Sequence, residues 1–355
     1  MLINDILQQY NDELAKAMTT EYDFSQNNLV EITFPDAVAI WGGVETPLLM
    51  RTNPVRTPAV TVRWRDAQIP AVEENAQITG TLVNTLTGAS TIPTLRTNTC
   101  QLMMALIEVA GSAAQEARNG VYGADLQNQI DWQVGLKLPQ MVGSFAYSCW
   151  FGTEVTEESA AEAAARKMSG LIGTVGAGGF DDGLLTTSGR ATVTSNSGGA
   201  FTEAVFGDWL ESIANAGAGA NHRPTAVYCS MRAQRYISKN FENVVQVNAN
   251  LSDLAALTAG QLVTKYVAPW GSIIDIVHEP QCAYSDTAAN NWMTALCEPD
   301  IKPAMFRGNA DTGGIEAQRL PYTPDREQIS MLLEGSIIAE VSKAHGVIHN
   351  FTISL

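Results

Sequence analysis

The chain has 355 residues, 45% hydrophobic and 16% charged, with 21 Lys and Arg against 37 Asp and Glu and a formal net charge of −16. That length suggests about two domains with room for a buried core, and the composition is that of a globular protein. The acidity excludes a nucleic-acid binder working through a basic surface, and no run of about 18 apolar residues offers a membrane span.

Residues 2–18 place Ile3, Leu7, Tyr10, Leu14 and Met18 at helical spacing, which predicts an amphipathic helix. The stretch lacks a basic segment followed by an apolar core, so no secretory signal is expected. From 20 to about 55, Pro35, Pro47 and Pro54 interrupt short apolar runs and predict an extended arm. Charge is uneven here: residues 1–50 hold eight acids against Lys16, whereas Arg51, Arg56, Arg63 and Arg65 cluster just beyond. Such an arrangement is either a solvated surface or a contact in which one copy's arginines meet another's carboxylates. A β-rich piece follows at 59–64 (AVTVRW), where Trp64 between two arginines is a candidate interface anchor.

Residues 71–99, AVEENAQITGTLVNTLTGASTIPTLRTNT, contain eight Thr and three charges. β-Branched and centred on Thr87-Gly88-Ala89-Ser90, they predict two long strands joined by a tight turn. A lone hairpin of this kind is marginal, and its apolar residues are too sparse to hold it within one chain. A strand at 98–108 and a long helix at 124–150 come next. Leu126, Ile130, Val134, Leu138, Met141, Phe145 and Cys149 form the helix's apolar stripe, and Pro139 is expected to kink or break it. Residues 152–200 read as loops around a short strand. An α/β module is expected at 200–298: helices at 202–215, 231–240 and near 252–260, with strands at 224–229, 262–268 and 272–278. A long strand at 328–341 and a closing strand at 345–355 end the chain.

No candidate reactive site satisfies its pattern. GAGGFDDG at 176–183 lacks the third glycine of a dinucleotide fingerprint and a following helix. Asp181 and Asp182 lack the further oxygens of a cation loop. His345 and His349 sit four apart without the zincin glutamate and read as surface or interface histidines, while His222 and His278 have no nucleophile beside them. Cys100, Cys149, Cys229, Cys282 and Cys297 show no CxxC spacing, which fits buried free thiols rather than disulfides or structural zinc. No cofactor and no metal are expected.

The order of these parts, and local sequence within them, resembles the major capsid proteins of tailed bacteriophages, with the Hong Kong 97-type fold. Thr46-Pro47-Leu48 and Trp64-Arg65-Asp66 are similar to the lead-in to that fold's extended loop, and NTCQLMMALIEVAGS (98–112) to its return strand. CEPDIKPAMFRG (297–308) and RLPYTPDREQISMLLEGSIIAEVSKAHGVI (319–348) resemble its ending, with Leu320, Asp325, Glu334 and Ala-His-Gly.

The resemblance implies an α+β architecture: an N-terminal arm (1–55), an extended β-hairpin loop (56–105) and a peripheral domain (106–199) with its spine helix near 124–150. An inserted α/β axial domain (200–298) and a return to the peripheral domain with a C-terminal strand (299–355) complete it. It implies a non-enzymatic shell protein forming hexamers and pentamers of an icosahedral virion head. The head would enclose double-stranded DNA without binding it specifically, and the subunit would be made in the host cytoplasm, with no membrane. Scaffold, portal and decoration or cement proteins are the implied partners, the scaffold as a separate protein. Arg51, Arg56, Arg63, Trp64, Arg65, Leu82, Leu86, Thr87, Gly88 and Ile92 are the implied inter-subunit contacts. Residues 51–120 contain no Lys, so a covalent isopeptide lock of the kind some relatives use cannot start from this loop. Two other readings remain: an encapsulin-like compartment shell, and an enzyme with a small-molecule site in the α/β module.

Overall fold

A computed structural model describes residues 45–67, 93–112, 129–156, 165–176, 179–187, 190–216, 219, 221–241, 265–282, 291–307, 315–320 and 326–353. The helices expected at 2–18 and 252–260 and the turn at 87–90 lie outside these residues.

Helix α1 (Pro47–Arg51) opens on a proline, whose fixed φ and missing N–H suit a first turn, and buries Leu48 and Leu49. Strands β1 (Val55–Arg56) and β2 (Thr61–Asp66) follow. β2 pairs antiparallel with β3 (Thr94–Thr99), from Thr61 opposite Thr99 to Asp66 opposite Thr94. β4 (Gln101–Ala110) then leads to α2 (Gln129–Phe151), the long helix. α2 runs unbroken through Pro139, contrary to the expected break. The carbonyl four residues back, which loses its donor, belongs to Gly135. Along the described stripe, Val134 and Leu138 are half-buried whereas Met141, Phe145 and Cys149 are buried. Packing of the second half holds the helix.

The glycine run forms an antiparallel pair, β5 (Gly173–Gly176) with β6 (Gly179–Asp182), and no helix follows. After β7 (Thr192–Ser195), α3 (Glu203–Asn215) is capped by Thr202, whose hydroxyl accepts from the Val205 N–H at 3.3 Å. It buries Phe206, Trp209, Leu210 and Ile213, one face at 3.6-residue spacing. β8 (Ala226–Cys229) leads to α4 (Met231–Asn240), capped likewise by Ser230 on Ala233 N at 3.2 Å. The remaining strands are β9 (Lys265–Val267), β10 (Ile273–His278), β11 (Trp292–Leu296), β12 (Ile301–Met305), β13 (Ile315–Arg319), β14 (Arg326–Ala339) and β15 (Gly346–His349).

Two sheets organise the molecule. In the first, β14 is the hub. One edge pairs with β4 over ten positions, from Arg326 opposite Ala110 to Gly335 opposite Gln101. The other edge takes β13 and then β12, and β1 adds parallel to β12. The second sheet has the order β7-β15-β11-β8-β10-β9. Its β7 and β15 come from outside 200–298, so the module expected within those bounds is completed by flanking strands. The closing strand, grouped with the peripheral domain in the expected division, pairs here with β11 and β7. A four-residue strand carries in its own sequence no sign of which sheet will pair with it.

The second sheet is buried on both faces. Val227, Cys229, Met293, Ala295 and Ile348 pack with α3 and α4 in one core. Their strand neighbours Ala226, Tyr228, Trp292, Leu296 and Val347 belong to the other core, built around α2 and the first sheet. Trp150 at the end of α2 ties that helix to the second sheet within this core, with its ring 5.6 Å from Tyr228 and 5.5 Å from Trp292. All five cysteines are buried and free.

Candidate functional site

Among the described residues, α2 covers one face of the first sheet, while on the other face Val62 of β2 packs with Ala304 and Ile338. Met103, Ala105, Ile107 and Val109 of β4 turn toward the helix with Ile329, Met331 and Leu333 of β14. Period-2 alternation turns Leu102, Met104 and Leu106 the other way, at 36%, 68% and 57% exposure. Leu332, opposite Met104, shares that face. A row of large apolar side chains on a central sheet marks an association surface in a folded protein. A groove of about 710 Å³ runs beside it between α2 and β4, lined by Gln101, Met103, Lys137, Met141 and the half-exposed Tyr147.

The outer face is tied to the chain's interior by Glu334, which is 2% exposed. Arg166 and Arg307 both pair with its carboxylate, Arg307 Nε at 2.9 Å. Arg166 Nε also donates to the Cys100 carbonyl at 2.8 Å. A buried carboxylate with two guanidiniums is stabilised in its charged form, whereas removing one partner strands a charge.

The paired strands β2 and β3 flank the Thr-rich segment. Arg63 and Arg65 are exposed on it, opposite Thr97 and Leu95, as is Arg56 on β1. Trp64 turns the other way and packs, half-buried, against the cores; its indole N–H has no hydrogen-bond partner. Arg51 is directed inward. Its guanidinium lies 2.6 Å from Asp275 and also pairs with Glu298, whose Oε1 accepts from Tyr228 OH at 2.7 Å. It clamps α1 onto the second sheet and stays part-exposed there. Leu82, Leu86, Thr87, Gly88 and Ile92 lie outside the described residues.

Glu279 is buried where α1, α2 and the second sheet meet. Burial pushes its carboxyl up to about 7, opposed in part by the Gln281 amide, which donates to Oε1 at 3.4 Å, and by the Trp150 indole and the Leu48 amide.

One constellation brings Cys, His and Asp together. The backbone N–H of Cys297, not its thiol, donates to His345 Nδ1 at 3.2 Å, and His222 Nδ1 lies 2.9 Å from Asp300. Burial pushes the Cys297 thiol up to about 12 and His345 down to about 4, so both are neutral. The Asp300 carboxylate accepts from the thiol and adds to the effect of burial, so the sulfur is held as the protonated, weakly nucleophilic form. His345 and His349 are buried rather than surface residues: the strand they flank lies in a sheet covered on both faces. Among the described residues, no group of three or more His, Cys, Asp or Glu could hold a metal ion. None of the described helices is long and apolar enough to cross a membrane.

No curated protein matches the chain. Among solved structures, it is similar to the capsid asymmetric unit of Cyanophage A-1(L), at 13% identity and a TM-score of 0.63 over 94% of this chain and 100% of that one. It is also similar to a chain of Mycobacterium phage Cain, at 12% identity and TM-score 0.53 over 95% and 100%. The capsid of Myoviridae phage XM1 matches at 6% identity and TM-score 0.51 over 93% and 100%. These likenesses show the fold, the α+β Hong Kong 97-type capsid fold, and residues 17–352 match the model of the SU10 major capsid protein family. With that match spanning most of its length, the chain belongs to the SU10 major capsid protein family: it is a virion structural protein that builds a bacteriophage capsid shell.

Proposed function

We propose that copies of this chain close into hexamers and pentamers of an icosahedral head around double-stranded DNA, and that the Thr-rich segment clasps a neighbour. The observation that carries this reading is the apolar row Leu102, Met104 and Leu106 beside the groove along α2. A single chain leaves that row in water, and burying it stabilises an assembly by about 25 cal/mol per Å² of apolar surface removed. The segment's low charge lets it be covered without stranding ions. Through Leu82, Leu86 and Ile92, and with Thr87 and Gly88 at its turn, it supplies the complementary side. β1 carries Arg56, and β2 carries Arg63 and Arg65, toward acidic neighbours; Trp64 contributes by holding this base rigid.

In this reading the 1–55, 56–105, 106–199, 200–298 and 299–355 segments serve as arm, extended loop, peripheral domain, axial domain and return. The protein acts without catalysis, after synthesis in the host cytoplasm, with a separate scaffold, a portal and non-covalent or cement-protein locking. Its acidity suits a wall that encloses DNA without gripping it.

Negative-stain electron microscopy of the purified protein over a range of concentration and salt tests the reading. Closed shells, tubes, or five- and six-fold rings are expected, alone or on co-expression with its scaffold. A monomer under all these conditions overturns it. Arg63→Glu with Arg65→Glu should weaken assembly at low salt and lose that effect at high salt, read as shell yield by sedimentation.

A further inference from the structure

Arg190 sits half-buried on the loop before β7, with no carboxylate within ion-pair distance among the described residues. Its Nη1 donates to the Leu184 carbonyl at 3.2 Å, and its Nε has no hydrogen-bond partner. Arg96 on β3 stands near enough that its charge, after burial, pushes the Arg190 guanidinium down. Arg96 itself reaches a carboxylate only at 3.8 Å, on Asp66, and its Nε is unpartnered too. Between the base of the hairpin and the loops at 153–154 and 184–190 lies a pocket of about 270 Å³, lined by Arg190, Thr97, Thr187 and Glu154. The Glu154 carboxylate already accepts from the Thr99 hydroxyl at 3.3 Å.

Two like charges partly out of water are unfavourable unless an anion joins them. Asp66 and Glu154 stand close by and offset this only in part. That balance disfavours a polyanion such as DNA, whose successive phosphates would meet both acids. It admits a single carboxylate on a flexible stem, which a guanidinium binds with two parallel hydrogen bonds.

We infer that this pocket receives a carboxylate from the acidic first 44 residues of a second copy in the shell. That segment holds seven Asp and Glu against the single Lys16. Each copy carries a net charge of −16, so copies repel unless acid meets base at defined places. Arg190, without a carboxylate in ion-pair distance among the described residues, is such a place. The inference rests on the capsid reading and adds to it the partner of this pocket.

The test uses full-length protein with Arg190→Lys, which keeps the charge and supplies an amine. Shells are assembled from an equal mixture of ¹⁴N- and ¹⁵N-labelled protein and treated with a water-soluble carbodiimide, which joins an amine only to a carboxylate in contact with it. Peptide mass spectrometry should find position 190 joined to an acid among residues 5–36, in mixed light–heavy pairs. Coupling only to Glu154 or Asp66, coupling only within one copy, or no coupling at 190 while other lysines of the same shells react, overturns the inference. Arg96→Lys gives the same readout if the first variant does not assemble. Loss of assembly in both variants beside normal wild-type shells also counts against it, since both keep the charge. Absence of shells from the wild-type protein fails the capsid reading instead.

Discussion

Asn98 is wholly buried, yet its side-chain amide is fully used. Nδ2 donates to the carbonyls of Ser169 and Ile337 at 2.9 and 2.8 Å, and Oδ1 accepts from the amides of Thr99 and Ser169, both at 2.9 Å. It continues the edge of β14 just beyond the last β4 pair, standing in for a strand. Asn98→Ala would orphan several buried backbone groups at once. It should cost about 2–4 kcal/mol, read as a lower midpoint of thermal or denaturant unfolding. Glu279 behaves oppositely, because its folded carboxyl is raised from the ordinary 4.5 to about 7. The folded state therefore holds a proton that the unfolded state releases, and stability falls as pH rises from about 4.5 through about 7. Glu279→Gln removes that penalty. The variant should match the wild type below pH 4.5 and exceed it by on the order of 3 kcal/mol at pH 8, measured by unfolding across that range. Equal stability of the two at pH 8 would contradict the raised carboxyl of a buried Glu279.

At the scale of elements, contact distance sets what can be substituted. A Cβ on Gly335 in β14 would lie 3.0 Å from the Ala304 carbonyl oxygen and 3.1 Å from the Phe145 ring, so the missing side chain lets α2 settle on the sheet. Gly335→Val should destabilise by about 1–3 kcal/mol through overpacking, with a lowered unfolding midpoint and the same shell geometry in whatever assembles. The elements legible in the sequence were those whose signal is local. Expected helices at 202–215 and 231–240 stand at Glu203–Asn215 and Met231–Asn240, each with a Ser or Thr cap and its own apolar face. The strands at 224–229 and 272–278 likewise hold Ala226–Cys229 and Ile273–His278. What escaped is non-local. Nothing within GVIH shows that β15 will lie between β7 and β11, and nothing around His345 shows a second core closing over it. Arg51 was legible as a paired arginine, but its carboxylates lie more than 200 residues away in the same chain, a distance at which the sequence does not distinguish self from neighbour. Pro139 misled for a related reason: propensity weighs about 3 kcal/mol, and the burial of Met141, Phe145 and Cys149 outweighs it.

At the scale of the whole molecule, two cores lie on the two faces of the second sheet, and neither draws a described residue from 77–95. Deleting residues 77–95 should accordingly leave the thermal unfolding of the isolated chain nearly unchanged while abolishing shells, seen by calorimetry and electron microscopy on the same preparation. Shells of normal size from the deletion would mean that the segment is not the clasp between subunits.

The ten-position register between β4 and β14 has a mechanical consequence. A pull along the strands strains all of their cross-links together, in shear, whereas a pull across them would open the ladder one rung at a time. Because β12 and β13 grip the far edge of β14 in the same lengthwise sense, tension entering at either end is shared by four ribbons. Such a subunit resists stretching within the plane of its sheet far better than peeling out of it, as the wall of a filled vessel must.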